Sequence, residues 1–355
     1  MEDESPMDSC RPDTAEQRVR NALTAIAAGR PVVVIDAADR EGEGDLIFAA
    51  ALATTELVAF TVRHTSGFVC VALPGDECDR LGLPAMHHSN DDRFDTAYRI
   101  TVDMRGTGTG ISAASRAATI AALASPDSLA SDFVRPGHVV PLMARPGGVL
   151  DRPGLTEAAV DLTRLAGVPA AGALCEIVSQ DRPVDMARGP ELERFAKEHD
   201  LVLLSIADLI HYRQRTEPQV RRGAVTSLPT DFGRFRAVGY VGAHDGAEHM
   251  ALVVDPTGGR QFEEVPVHVH TECLSGDVFR STACGCRQEL EKAMFQFCAE
   301  GCGVVLYLRP PGGPRACGIF ATERNEGVNS SAMQAVADWI LADLASTFPA
   351  ADVSA

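Results

Sequence analysis

Asp39-Arg40-Glu41-Gly42-Glu43-Gly44-Asp45 sets four carboxylates and an arginine in seven residues, between the apolar runs Val32-Val33-Val34-Ile35 and Leu46-Ile47-Phe48-Ala49-Ala50. A charge run is usually a solvated face. This one is flanked by apolar sequence on both sides, and Gly42 and Gly44 let the backbone turn tightly between the two runs. That pattern brings carboxylates to the mouth of a sheet, where they hold a divalent cation or move protons. Hard oxygen donors of this kind suit Mg²⁺ or Mn²⁺ rather than zinc.

The 355 residues are enough for two ordinary domains. No apolar run reaches the length of a membrane span. The formal charge of −17 argues against a general nucleic-acid or membrane-surface binder and leaves room for a local basic pocket that takes a phosphorylated substrate. Residues 1–14 read as a loose acidic tail with no signal-peptide pattern. Ten cysteines in such a chain point to reduced thiols in a cytoplasm, some of them on metal, rather than a disulfide framework.

Along the chain, Ala15 to Ala28 has helical periodicity and is stopped by Gly29. A strand is expected from Phe68 to Leu73, carrying Cys70. Gly106-Thr107-Gly108-Thr109-Gly110 opens a helix at Ser112, whose first amides suit a phosphate or carboxylate; a well-capped flexible turn explains the same residues. Arg135-Pro136-Gly137-His138-Val139 reads as a rigid turn presenting a histidine. Arg152-Pro153-Gly154-Leu155-Thr156-Glu157 is a second such turn, leading into a helix. Leu174-Cys175-Glu176-Ile177 places a carboxylate inside an apolar strand, where it must be paired, neutral or functional. The basic, polar stretch 213–223 reads as a solvated hinge. The expected division is therefore a domain over 15–215, a linker over 216–224, and a second domain over 225–355.

The second part carries Cys273, Cys284 and Cys286 in a C-x10-C-x-C spacing, just after His268 and His270. Three thiols so spaced could form a zinc site of the catalytic kind, with one position open. Cys298, Cys302 and Cys317 read as ordinary helix and loop cysteines.

In this order, the segments 39–50, 63–70, 107–116, 135–141, 147–161 and 173–177 resemble the 3,4-dihydroxy-2-butanone 4-phosphate synthase family, in the form fused to GTP cyclohydrolase II for riboflavin biosynthesis. The resemblance implies a three-layer α/β arrangement around a mixed sheet, followed by a smaller α/β domain. It also implies a cytoplasmic homodimer that turns D-ribulose 5-phosphate into L-3,4-dihydroxy-2-butanone 4-phosphate and formate with Mg²⁺ or Mn²⁺. Carried over by position, Glu41 binds metal, and Arg40, Asp45, Arg152, Thr156 and Glu176 contact the sugar phosphate. His138, Glu176, Glu43 and Cys70 make up the catalytic set. The family has a metal-ligating histidine where this chain has Leu155. Three outcomes then stand open: the family reaction with weaker metal binding, a reaction retuned to a related sugar phosphate, or a non-catalytic regulatory partner.

Residues 230–310 resemble the first half of GTP cyclohydrolase II. Cys273, Cys284 and Cys286 match its zinc ligands, and His270-Thr271-Glu272 matches a segment that contacts GTP. His268 stands where the family has arginine, and Pro310 to Pro314 replaces a Glu-Gly-Arg-Gly-type loop. The expectation is a truncated, degenerate domain with no cyclohydrolase activity, serving structure or dimerisation.

Overall fold

The computed structural model describes residues 14–37, 40–254, 262–310, 313, 315–317 and 326–347. Asp39, the acidic tail up to residue 13 and most of the Pro310 to Pro314 segment lie outside the described residues. Contacts divide the chain into two units, 1–213 and 214–355.

The first unit has eight strands: β1 (Val32–Ile35), β2 (Gly44–Ala49), β3 (Cys70–Leu73), β4 (Ala97–Tyr98), β5 (Val102–Met104), β6 (Phe133–Met143), β7 (Gly172–Glu176) and β8 (Val202–Ser205). They form one mixed sheet in the order β4-β6-β3-β7-β2-β1-β8, with β5 pairing β6. The β1/β8 and β3/β6 pairs are parallel and the rest antiparallel. Its helices are α1 (Ala15–Ala27), α2 (Thr55–His64), α3 (Gly75–Arg80), α4 (Ala113–Leu123), α5 (Leu155–Leu165), α6 (Pro190–Glu198) and α7 (Ile206–Thr216).

Strand residues alternate between the two faces, which sorts the core into layers. Val32, Val34, Ile47, Cys70 and Leu174 pack against α1, α5 and the start of α7. Phe48, Val71, Leu73 and Ala173 pack against α2, α3 and α4, and Val33, Leu46 and Ile177 pack against α6. The outcome is the three-layer arrangement expected. Helix starts follow their caps: Thr14 accepts from the Gln17 amide, and Ser112 from the Ser115 amide.

Residues 135–139 lie within the span of the long strand β6, with a cis Arg135–Pro136 bond, but 135–138 bulge out of its pairing with β5, in keeping with the rigid turn expected. The β5/β6 register jumps there from Val102↔Val139 to Asp103↔Val134, and Gly137 meets the β5 backbone. A Cβ at Gly137 would lie 2.0 Å from the Val102 carbonyl carbon. Of the arginines in the 213–223 stretch, Arg215, Arg221 and Arg222 are exposed, as a solvated hinge requires, and Arg213 is not. Arg213 is buried, its Nη1 2.7 Å from Asp161 Oδ2 and 2.8 Å from the Gly147 carbonyl oxygen. Arg221 and Arg222 already belong to the next strand.

The second unit is a five-stranded sheet of β9 (Val220–Thr230), β10 (Gly233–Gly242), β11 (Glu248–Val254), β12 (Val267–Thr271) and β13 (Gly303–Leu308), in the order β12-β13-β11-β10-β9. Val304, Leu306 and Leu308 share one face with Ala337, Ile340 and Leu344 of α9 (Glu326–Thr347). Val305 packs on the other face with Ala293, Met294 and Phe297 of α8 (Cys286–Glu300). Among the described residues, no helix is long and apolar enough to cross a membrane.

Candidate functional site

Antiparallel pairing of β2 and β7 sets Asp45 directly opposite Glu176. Residues opposite each other in a sheet point to the same face, so the two carboxylates stand side by side. The loop between β1 and β2 adds Asp36, Glu41 and Glu43 to the same neighbourhood. Asp45 is 2% exposed and its Oδ1 has no hydrogen-bond partner among the described residues. Burial holds its carboxyl well above the usual range, and the charges of Glu176, Glu41, Glu43 and Asp36 push the same way. Burial also raises Glu41, against the pull of Arg40, and raises Glu43, against the pull of Arg188.

Each surrounding side chain has its own anchor. Arg40 Nη1 lies 2.5 Å from Asp36 Oδ2, and its guanidinium covers the Phe94 ring at 4.8 Å. Glu43 pairs with Arg188. Ser66 Oγ donates to Glu176 Oε2 at 2.6 Å. Arg152 pairs with buried Glu157 at 2.5 Å and donates to the Phe94 carbonyl at 3.0 and 2.9 Å. Thr156 is buried near the start of α5. Cys70 is buried too, and burial, followed by the Glu176 charge, lifts its thiol well above the usual range.

Cys70 pairs with Val140 of β6 and Leu174 of β7, and His138 lies two residues before Val140, in the stretch 135–138 that the β5/β6 register skips. The half-exposed His138 has its Nδ1 2.7 Å from Asp103 Oδ2, while its amide donates to Asp103 Oδ1 at 2.9 Å. Asp103 thus fixes the orientation of the imidazole ring. Sequence reasoning did not single out Asp103, Arg188 or Ser66. Asp103 had one indirect signal in the glycine-rich turn: a Cβ at Gly110 would lie 2.1 Å from Asp103 Oδ2, so that glycine makes room for the carboxylate.

The donor chemistry suits a hard divalent cation: several carboxylates share one neighbourhood, one buried oxygen is unpartnered, and burial, reinforced by the neighbouring charges, holds Asp45 above its usual range. Glu41 and Asp45 are the residues that fit such an ion. Leu155 adds no donor. It is 6% exposed and packs in the same cluster as Cys70 and Leu174.

The second unit gathers Cys273, Cys284, Cys286 and Cys317, their sulfurs all within 4.8 Å of one another. Cys317 is thus not an ordinary loop cysteine. A bridge pairs Cys273 with Arg315, 42 positions away in sequence, and brings Cys317 in with it. The histidines upstream stay out of the cluster. His270 Nε2 lies 3.0 Å from Asp277 Oδ2, which also accepts from Tyr307 Oη at 2.8 Å and from the Cys273 amide at 2.8 Å. His268 Nε2 is buried with no partner among the described residues.

Comparison with known proteins assigns each unit to a known family. The family model for 3,4-dihydroxy-2-butanone 4-phosphate synthase matches residues 20–212, and that for GTP cyclohydrolase II matches residues 221–346, a wider span than the 230–310 expected. The riboflavin biosynthesis protein RibBA of Salinispora arenicola is 59% identical over 292 residues, covering 82% of this chain and 69% of that protein. RibBA of Mycolicibacterium gilvum is 56% identical over 294 residues, covering 82% and 70%. Among solved structures, RibBX, a two-domain 3,4-dihydroxy-2-butanone 4-phosphate synthase from A. baumannii, superimposes with a TM-score of 0.75 at 34% identity, over 92% of this chain and 90% of that one. A synthase in complex with two magnesium ions gives 0.54 at 43% identity, over 56% and 97%. From the matched sheet, its acidic row and these relatives it follows that the chain belongs to the 3,4-dihydroxy-2-butanone 4-phosphate synthase family, joined to a unit that matches GTP cyclohydrolase II.

Proposed function

We propose that the chain is a magnesium-dependent lyase that converts D-ribulose 5-phosphate into L-3,4-dihydroxy-2-butanone 4-phosphate and formate. The observation that carries this reading is the cross-strand pair Asp45 and Glu176, set among Glu41 and Glu43. A ketose that enolises, rearranges its skeleton and sheds one carbon needs protons taken and returned at several atoms. His138, oriented by Asp103, and Glu176, oriented by Ser66, are groups suited to that work. Glu43, held by Arg188, assists them. Arg40, Asp45, Arg152 and Thr156 bind and orient the sugar phosphate. A magnesium ion held at Glu41 supplies a Lewis acid that stabilises negative charge on the sugar oxygens. Cys70, buried and neutral, shapes the floor of the site. The catalytic unit spans 15–215, and the enzyme works as a homodimer.

The test is to incubate the protein with ribulose 5-phosphate and Mg²⁺ and to follow formate and the four-carbon product. Equal amounts of the two are expected. The apolar burial of Leu155 favours a second reading, a reaction retuned to a related keto-sugar phosphate, and substrate consumed without formate would select it. Absence of any turnover overturns both and leaves a regulatory partner.

The second unit, on our reading, has no GTP cyclohydrolase activity. Support comes from His268 in place of arginine, from the Pro310 to Pro314 segment, and from likeness to a protein described as a two-domain synthase. GTP incubated with the zinc-loaded protein should remain intact; its steady consumption sinks the idea.

A further inference from the structure

We propose that Cys317 is a fourth protein ligand that closes the metal site of the second unit, so that Cys273, Cys284, Cys286 and Cys317 hold zinc in a purely structural, four-thiolate coordination. This inference does not depend on the lyase reading.

Geometry is the first support. Zn–S bonds of about 2.3 Å in a tetrahedron require sulfurs about 3.8 Å apart. Cys273 Sγ to Cys284 Sγ and Cys286 Sγ to Cys317 Sγ are each 3.9 Å. Those distances are far beyond a disulfide, and all four are free thiols. Three such thiols leave a position for water or substrate, as catalytic zinc requires. A fourth sulfur at the same spacing fills it.

The second support is how firmly Cys317 is placed. The Leu274 amide donates to the Arg315 carbonyl at 2.6 Å, and Ser275 Oγ donates to the Cys317 carbonyl at 3.1 Å. The segment carrying the fourth thiol is therefore tied to the turn that carries the first. Gly276 keeps the space beside the sulfurs open: a Cβ there would lie 3.1 Å from Cys284 Sγ and 3.4 Å from Cys273 Sγ. Its amide points to Cys273 Sγ at 3.4 Å, a contact that favours a thiolate. Among the described residues no other donor joins the cluster, and His270 is engaged by Asp277.

X-ray absorption at the zinc edge of the full-length protein tests this directly. Four sulfurs at about 2.3 Å are expected. The Cys317→Ser variant should show three sulfurs and one lighter atom, with zinc held at least about 10-fold more weakly. Cobalt substitution gives a parallel readout, as the thiolate charge-transfer intensity should drop by about one quarter in the variant, in proportion to the ligands lost. Three sulfurs and one oxygen or nitrogen in the parent protein, or a chain that takes up no zinc, overturns the proposal. Because the parent spectrum decides alone, a variant that fails to fold does not rescue it. Ribulose 5-phosphate turnover is measured separately, so failure of either reading is distinguishable from failure of the other.

Discussion

Leu155 stands at the first turn of α5, beside the sheet face that carries Asp45 and Glu176, where it offers methyl groups in place of a nitrogen. Leu155→His should tighten Mg²⁺ binding by at least about 10-fold and raise formate production at limiting metal. Isothermal titration and a formate assay check both, and an unchanged metal affinity would mean that the other donors already saturate the ion. Asp45 makes a prediction of opposite sign for stability and catalysis. The folded chain holds a proton on Asp45 more readily than the unfolded chain does, so this group's contribution to stability falls as pH rises from about 4. Asp45→Asn removes that unfavourable charge. Without divalent ions its melting temperature should exceed the parent's at pH 7.5, with the gap closing toward pH 4. Formate production should fall by about 100-fold or more. A variant that melts below the parent at every pH would show that the buried carboxylate is favourably paired.

Among elements, β6 carries the largest departure from local sequence signals. The tight approach at Gly137 makes Gly137→Ala a clash with backbone, so it should cost about 1–3 kcal/mol and loosen the Asp103–His138 pair. Thermal melts measure the first effect, and a lowered turnover number with little change in KM measures the second. The strands β1 and β2, the strand ending at Glu176, the helix α1 and the capped start of α4 were legible, because short-range apolar patterning and the Ser112 cap specify them. That the rigid turn at 135–139 is a bulge inside one long strand was not, since Pro-Gly signals the turn and only the β5 partner shows the strand continuing on both sides of it. Asp103 and Cys317 were invisible for a related reason. Each gains its meaning from a partner far away in sequence, His138 for one and the thiols near Cys273 for the other. Arg213 misled because a buried arginine and a solvated one look alike until Asp161 is placed against it.

At the level of the whole molecule the two units offer donor sets of opposite hardness, carboxylates in one and thiolates in the other. Reversible chelation should separate them. Brief treatment with EDTA should abolish formate production, and added Mg²⁺ should restore it. Metal analysis should find zinc retained until a thiol-specific mercurial is added. Loss of zinc to EDTA as fast as activity is lost would contradict a closed thiolate site.

The pairing of Asp45 with Glu176 also dictates when the first unit becomes competent. The two residues are about 130 positions apart, so the acidic row exists only after a long loop has closed and β7 has added beside β2. β8, which completes the sheet against β1, emerges later still from the ribosome. Until then the carboxylates of the β1–β2 loop and the apolar edge of β2 have no partner, a window in which a nascent chain is prone to wrong pairing. Turnover is therefore a sensor of completed folding: partly folded chains should have none of it, and refolding followed by activity should lag refolding followed by helix content.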